Sequence, residues 1–545
     1  MSTAGRNCRD LTNAAELCIM PPKGHKRTGR KADIAMQTET KPKNFPAKLF
    51  FRRRFSYNPC NALRLPLGEM SLHRDWLHTD GRGDPYPELS RRGIVEERVG
   101  GEIYRAESAE TGGISRLIGR FFPYATYELT AERIDEGCTA GFTFRTEGGA
   151  EARIGLRRCG EKLLFCREMH AGGAAADAQT LAEIPAEPGI RLQITWQVAD
   201  AFVTLIGAER RQLPVLRFPE FGDMNLESVF SAATAGLWAE LSAGAVEVRE
   251  VGFCLDGGIC QADPRPVRYE DGTPLMENGR LFITWSVRAG VGGFQSVVSW
   301  TPGLCDFRME GALFFDYGDG RWQNDVATSL IFDRNRGRWL LWACAFHGGH
   351  YLQHAELQND PRFGIHVIDT ERMPTESGIP GEAALSDVRL WLGKYGDEDP
   401  DMIYDKETGL WHMSVCRVSR VEGKDTYTYF LFTSKEPFSG YTFAGKVEDH
   451  GVTGGTLLSV GGRKYLVYGR RFDARAEYAC ADLADPAHPE LLSCDYDDGG
   501  FRGWGTVIPV PCGKRTRWVW LTFDRDLGYK EYNWSYGNLY VYDAE

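Results

Sequence analysis

The stretch GDEDPDMIYDKETGLWHMSV, residues 396–415, sets two short apolar segments on either side of a polar turn and loads the first with acid. Asp397, Glu398, Asp399 and Asp401 crowd around the start of MIY, and Asp405 opens the DKETG that follows. Asp, Thr and Gly supply turn chemistry, so MIY and WHMSV read as the two strands of a hairpin. A solvated loop would need no aromatic-rich hairpin directly behind it. The acids therefore belong to a sheet in which charge at the start of a strand has a use.

The turn and its aromatic strand recur. NGRLFITW, RGRWLLW, TGLWHMSV, GGRKYLVYG and RTRWVWLTF, counted from Gly279, Gly337, Gly409, Gly462 and Thr516, are spaced by 58, 72, 53 and 54 residues. Strand-rich repeats of this order are the signature of propeller blades. Residues 266–545 are thus expected to form a five-bladed β-propeller, with NLYVYDAE as a late strand closing the ring. The segment before each turn becomes the innermost strand, and residues at its start project into the central funnel.

Laid over one another, blades two and three match QNDVATSLIFDRNRGRW to GDEDPDMIYDKETGLW. Asp333 and Asp405 fall in the turns, where they bond the following amides. Asp325 and Asp397 match eight residues earlier. Blade one offers Asp271, in YEDGTPLMENGRLF, at a similar depth. Acids from three blades facing one funnel suit glycosyl transfer: one protonates the leaving oxygen, another activates water or attacks the anomeric carbon, and a third tunes the acid. Crowded carboxylates raise one another's pKa and so can keep one protonated near neutrality. The alternative reading is that they cap strands or hold a cation.

These segments resemble the blades of the furanosidase-type propeller enzymes, glycoside hydrolase family 43 and its relatives. EDPDMIYDKETGLWHMSV is similar to that superfamily's blade opening, and NGRLFITWSVRAGVGGFQSVVSW followed by NDVATSLIFDRNRGRWLL extends the likeness over roughly residues 267–545. The resemblance implies a triad in the order Asp, Asp, Glu over the first three blades: Asp271, Asp325, then Glu398 or Asp399. One departure stands out. Where those enzymes often carry Glu-Gly, HGVTGGTLLSV has Gly454. The proton donor is then Glu398 or is missing, and a non-catalytic carbohydrate-binding propeller is the second reading.

Several residues are candidates for holding the sugar: Asp397 and His450 at the funnel, Trp322 and Trp504 as stacking surfaces, Arg502 for an acidic group, and His347 in FHGGHYLQH, whose spacing suits a rim loop better than a metal site. No cofactor is called for, although a structural cation such as calcium would suit the funnel acids.

Upstream, residues 70–265 alternate apolar and polar in run after run, as in FFPYATYELTAERI, EARIGLRRCGEKLLFCREM and RLQITWQVADAFVTLIG. This reads as an antiparallel β-sandwich. AATAGLWAELSAGAVEVREVGF resembles the final strands of concanavalin-like and laminin-G-like jelly rolls, which accompany carbohydrate enzymes as sugar-binding modules or as plain supports.

Residues 1–69 hold 14 Lys/Arg against 5 Asp/Glu, a net of +9, which leaves −20 on the remainder of a chain whose total is −11. A basic arm, a targeting segment and an unstructured extension upstream of a start at Met70 all fit, and a chain beginning at Met70 is expected to melt like the full one. The acidic remainder argues against a nucleic-acid partner, because phosphate binding needs a cationic surplus. No run of 18 apolar residues suggests a membrane span. The 14 cysteines show no CxxC pair, and Cys344 and Cys416 sit among apolar neighbours, which fits reduced thiols and a cytoplasmic setting in which short oligosaccharides are the substrates.

Overall fold

The computed structural model describes residues 47–57, 63–66, 88–100, 103–170, 177–197, 199–221, 233–256, 261–289, 292–316, 326–345, 351–373, 397–421, 424–470, 477–494, 505–513, 515–523 and 538–544. These are almost all strand; the one helical element shown is a single 3-10 turn, Pro219–Phe221. Among them, no helix is long and apolar enough to cross a membrane.

Five sheets are the five blades. Their innermost strands are Gln261–Pro266, Val326–Asp333, Asp397–Asp405, Val452–Val460 and Gly505–Cys512, and each neighbours the next round to the first. The hairpin read from residues 396–415 is present: Asp397–Asp405 pairs antiparallel with Leu410–Val421, and Asp405 stands opposite Leu410 across the turn. Second strands such as Arg338–Ala345 and Arg463–Arg470 are buried on both faces between neighbouring blades, which is why they read as near-continuous apolar runs.

Two boundaries differ from the sequence reading. The first blade opens at Gln261, ahead of residue 266, so its innermost strand is QADPRP and not YEDGTPLM. The fifth blade takes its outer strand from the basic segment. Phe50–Tyr57 pairs antiparallel with Leu539–Ala544, so a strand from near the start of the chain closes the ring beside one from its end. Phe51 is fully buried there, edge-on to Trp520 at 5.7 Å, and Arg54 pairs with Asp543 at 2.5 Å. Arg64–Pro66 likewise pairs with the sandwich strand Ala245–Asp256. Residues 1–69 are therefore not, as a whole, a dispensable extension.

Residues 88–256 supply two antiparallel sheets on a common core, one of seven strands and one of nine that includes Arg64–Pro66. Phe144 of one sheet meets Tyr127 and Trp196 of the other, each at 5.0 Å between ring centres. Aromatic pairs at such spacing add about 0.5–1.5 kcal/mol each beyond the area they bury. The sandwich leans on the first blade through Phe122 and Tyr124, whose rings lie 6.0 and 5.6 Å from Phe314.

Candidate active site

At the funnel end of four innermost strands the chain makes the same detour. Pairing slips between Ala262 and Arg265, Val326 and Ser329, Glu398 and Asp401, and Thr453 and Thr456. The first extra residue in each bulge is left-handed: Asp263 at φ 52°, Ala327 at 55°, Asp399 at 52° and Gly454 at 64°. Bulges re-aim side chains, and glycine is the residue that adopts this conformation without strain. Blade four uses glycine. Blades one and three place an aspartate there, each followed by proline, and blade two an alanine; each of these non-glycine residues carries a cost of order 1–3 kcal/mol for the left-handed conformation.

Both aspartates are buried, Asp399 to 3% exposure and Asp263 to 6%. Asp399 Oδ2 accepts hydrogen bonds from the Gly454 amide at 2.8 Å, Thr453 Oγ1 at 2.9 Å and the Tyr429 hydroxyl at 3.3 Å. Burial first, and then the Asp399 charge, push the Tyr429 hydroxyl well above its ordinary range, so it stays a donor. It also accepts from the Gly455 amide, and a Cβ on Gly455 would lie 2.4 Å from the Tyr429 ring. The Gly-Gly of blade four thus has a local reason: one glycine turns the chain and the next admits the phenol. Asp263 makes an analogous link through an intermediary, since Ser286 Oγ donates to Asp263 Oδ2 at 3.0 Å and accepts from the Ala327 amide at 3.0 Å.

Two residues deeper, Arg265, Ser329, Asp401 and Thr456 occupy equivalent positions around the axis. Asp401 accepts from Ser329 Oγ at 2.8 Å and the Leu457 amide at 2.6 Å, is ion-paired with Arg268, and lies 3.7 Å from Arg265. Burial opposes its ionisation, but the two guanidinium groups outweigh burial and hold its carboxyl below the usual range. This cluster ties blades one to four together beneath the funnel.

The sequence candidates divide. Glu398 is half-buried beside Asp399, and burial followed by its charge raises the Tyr427 hydroxyl. Asp397 is paired with Arg417 through both oxygens, at 2.5 and 2.9 Å, and the guanidinium lies 5.2 Å from the Phe432 ring centre. Asp271 is corrected outright. It sits in the turn at the far end of the first blade, where its carboxylate accepts from the Thr273 amide at 2.9 Å and pairs with Arg334 at 2.6 Å. It belongs with Asp333 and Asp405, which bond the amides of Asn335 and Glu407 in the same way. His450 is exposed, its Nδ1 3.0 Å from Thr428 Oγ1. Asp325, Trp322, His347, Arg502 and Trp504 lie outside the described residues. Among those described, no group of three or more His, Cys, Asp or Glu is placed to hold a metal ion.

Asp263 is the functional candidate that the sequence reading missed. Its signal was a second Asp-Pro, residues 263–264, matching residues 399–400. Placing a domain boundary at residue 265 hid it.

No family model matches the chain, and no curated protein does. Solved structures similar to it include a thermostable family-43 glycoside hydrolase at 16% identity, covering 52% of this chain and 89% of that one with a TM-score of 0.36. Others are the catalytic domain of the Coprinopsis cinerea GH62 α-L-arabinofuranosidase (12% identity, 52% and 90% covered, TM-score 0.35) and an endo-1,4-β-xylanase from Bacteroides thetaiotaomicron (12%, 52% and 90%, TM-score 0.32). At such identities and scores these likenesses carry no argument about chemistry. The five blades stand on the chain's own strand order.

Proposed function

We propose that this protein is a glycoside hydrolase that cleaves an oligosaccharide in the propeller funnel. The observation that carries the reading is the pair of strained Asp-Pro bulges, Asp263 and Asp399, at one level on blades one and three. In this reading Asp263 activates the water or attacks the anomeric carbon, Asp399 supplies fixed negative charge for the oxocarbenium-like transition state, and Glu398 protonates the leaving oxygen. Asp325, matched in register to Asp397, is a further candidate from blade two.

A carbohydrate-binding propeller without turnover is the second reading, favoured by Gly454 and by the three donors already filling Asp399 Oδ2. Nitrophenyl glycosides discriminate. Nitrophenolate leaves without protonation, so a hydrolase with a weak proton donor still cleaves them, whereas a binding protein cleaves none. A cytoplasmic setting is part of the proposal, supported by buried thiols such as Cys344 and Cys416 inside the blades. Recovery of the protein from culture supernatant with paired, oxidised cysteines would overturn that part.

A further inference from the structure

The two bulge aspartates are tied to the following blade in different ways. Asp399 Oδ2 takes the amide of blade four's bulge residue, Gly454, directly at 2.8 Å. On blade one a side chain stands between. The amide of blade two's bulge residue, Ala327, donates to Ser286 Oγ at 3.0 Å, and the Ser286 hydroxyl donates to Asp263 Oδ2 at 3.0 Å. Register puts Ser286 there, opposite Ala262, one residue ahead of the bulge. The same place is held by Cys344 opposite Val326, Cys416 opposite Glu398 and Gly469 opposite Thr453. Both cysteines are fully buried, as Ser286 is, and their thiols reach the Asp397 and Val452 carbonyls at 3.3 Å. The fold thus accepts a thiol at this position twice. Only blade one of these four places a hydroxyl there, which is a far better donor to a carboxylate.

That hydroxyl also has a second acceptor. Gln295 stands directly across the strand pair and brings Oε1 to 3.3 Å from Ser286 Oγ. A serine hydroxyl has one proton and rotates to suit its surroundings. While Asp263 is ionised its charge draws that proton, because charge-assisted hydrogen bonds are the stronger ones. In the reaction Asp263 loses its charge, either to a proton from water or to a bond with carbon. The hydroxyl can then turn to Gln295, and no buried donor is left unpaired. A backbone amide such as the one on Asp399 has no such freedom, and it favours a carboxylate that keeps its charge.

We infer that Ser286, with Gln295 as its alternative acceptor, is a positioning residue for Asp263: its hydroxyl holds the carboxylate while it is charged and turns away as the charge is neutralised. The inference rests on the reading of Asp263 as a catalytic group. The test is steady-state kinetics on the full chain with the nitrophenyl glycoside that the wild type cleaves fastest. Ser286→Cys, Ser286→Ala, Cys344→Ser and Asp263→Asn are compared, each well below its own unfolding midpoint. Ser286→Cys swaps in the residue that the fold already holds on blades two and three, so its midpoint should match the wild type. Both Ser286 variants should lower kcat about tenfold or more, the scale of a hydrogen bond to a charged group, with KM within about threefold of wild type. Cys344→Ser, at the matching place on blade two, should keep the wild-type rate. If the wild type releases no nitrophenol, or Asp263→Asn equals it, the funnel reading fails and this inference with it. If Asp263→Asn is slow, the funnel reading stands, and four results overturn the inference alone: a folded Ser286 variant with wild-type turnover, a change in KM only, a Cys344→Ser as slow as Ser286→Cys, or failure of both Ser286 variants to fold.

Discussion

Asp263 and Asp401 stand two residues from the same axial level, on blades one and three, and call for opposite experiments. Asp263 occupies a left-handed bulge where glycine would be less strained, so replacing its charge should not harm the fold. Asp263→Asn is expected to melt within about a degree of the wild type while turnover falls at least about a hundredfold, the scale of a lost acid–base group. Asp401 is fully enclosed between two arginines, and Asp401→Asn leaves Arg268 and Arg265 without their counter-charge. Removing one partner of a buried pair costs about 3–5 kcal/mol, so this variant should unfold several degrees earlier in a thermal scan whatever its activity. The same group sets part of the pH dependence. A carboxyl whose folded pKa is depressed contributes stability that is present above its unfolded value, about 3.9, and is lost as pH falls through the folded one. Asp401, Asp405, Glu97 and Glu128 are all held low, each against its own burial and by its cationic or hydrogen-bonding partners. The unfolding midpoint should therefore be flat from neutrality to about pH 5 and drop below about pH 4; a midpoint that rises on acidification would contradict these assignments.

Among elements, the fifth blade gives the clearest test. Its outer strand, Phe50–Tyr57, has the burial pattern of an edge, with Phe51 alone fully inside and arginines facing solvent. Nothing in FFRRRFSY alternates, and its partner lies at the other end of the chain, so no local pattern could announce the pairing. Removing residues 1–69 should lower the unfolding midpoint and expose the edge of Leu539–Ala544 to association. An unchanged midpoint and a monodisperse product would contradict the closure. By contrast, the hairpins of blades two to five were legible, because each repeats a turn aspartate or glycine and an aromatic second strand, and the structure keeps Asp333 and Asp405 in the turns where their spacing placed them. Depth along a strand was harder to read. Asp271 and Asp263 both precede aromatic strands, and only pairing shows that one ends in a turn while the other begins at the funnel. The partners of Asp397 were equally hidden, since Arg417 lies 20 residues on and meets it only through hairpin register.

At the scale of the whole molecule, a ring of innermost strands brings distant acids to one level, and a strand from each end of the chain holds the ring shut. The sandwich packs its aromatic edge on the first blade, the blade that carries Asp263. The central claim is that the two Asp-Pro bulges make the funnel catalytic. The most direct measurement is the rate of nitrophenol release from a panel of nitrophenyl pentosides and hexosides by the wild type, Asp263→Asn and the turn control Asp333→Asn, each first shown to be folded. The account predicts turnover of at least one substrate, a loss of about a hundredfold or more in Asp263→Asn, and a rate within about threefold of wild type in Asp333→Asn. Release of nitrophenol at an equal rate by wild type and Asp263→Asn, or by neither, would contradict it.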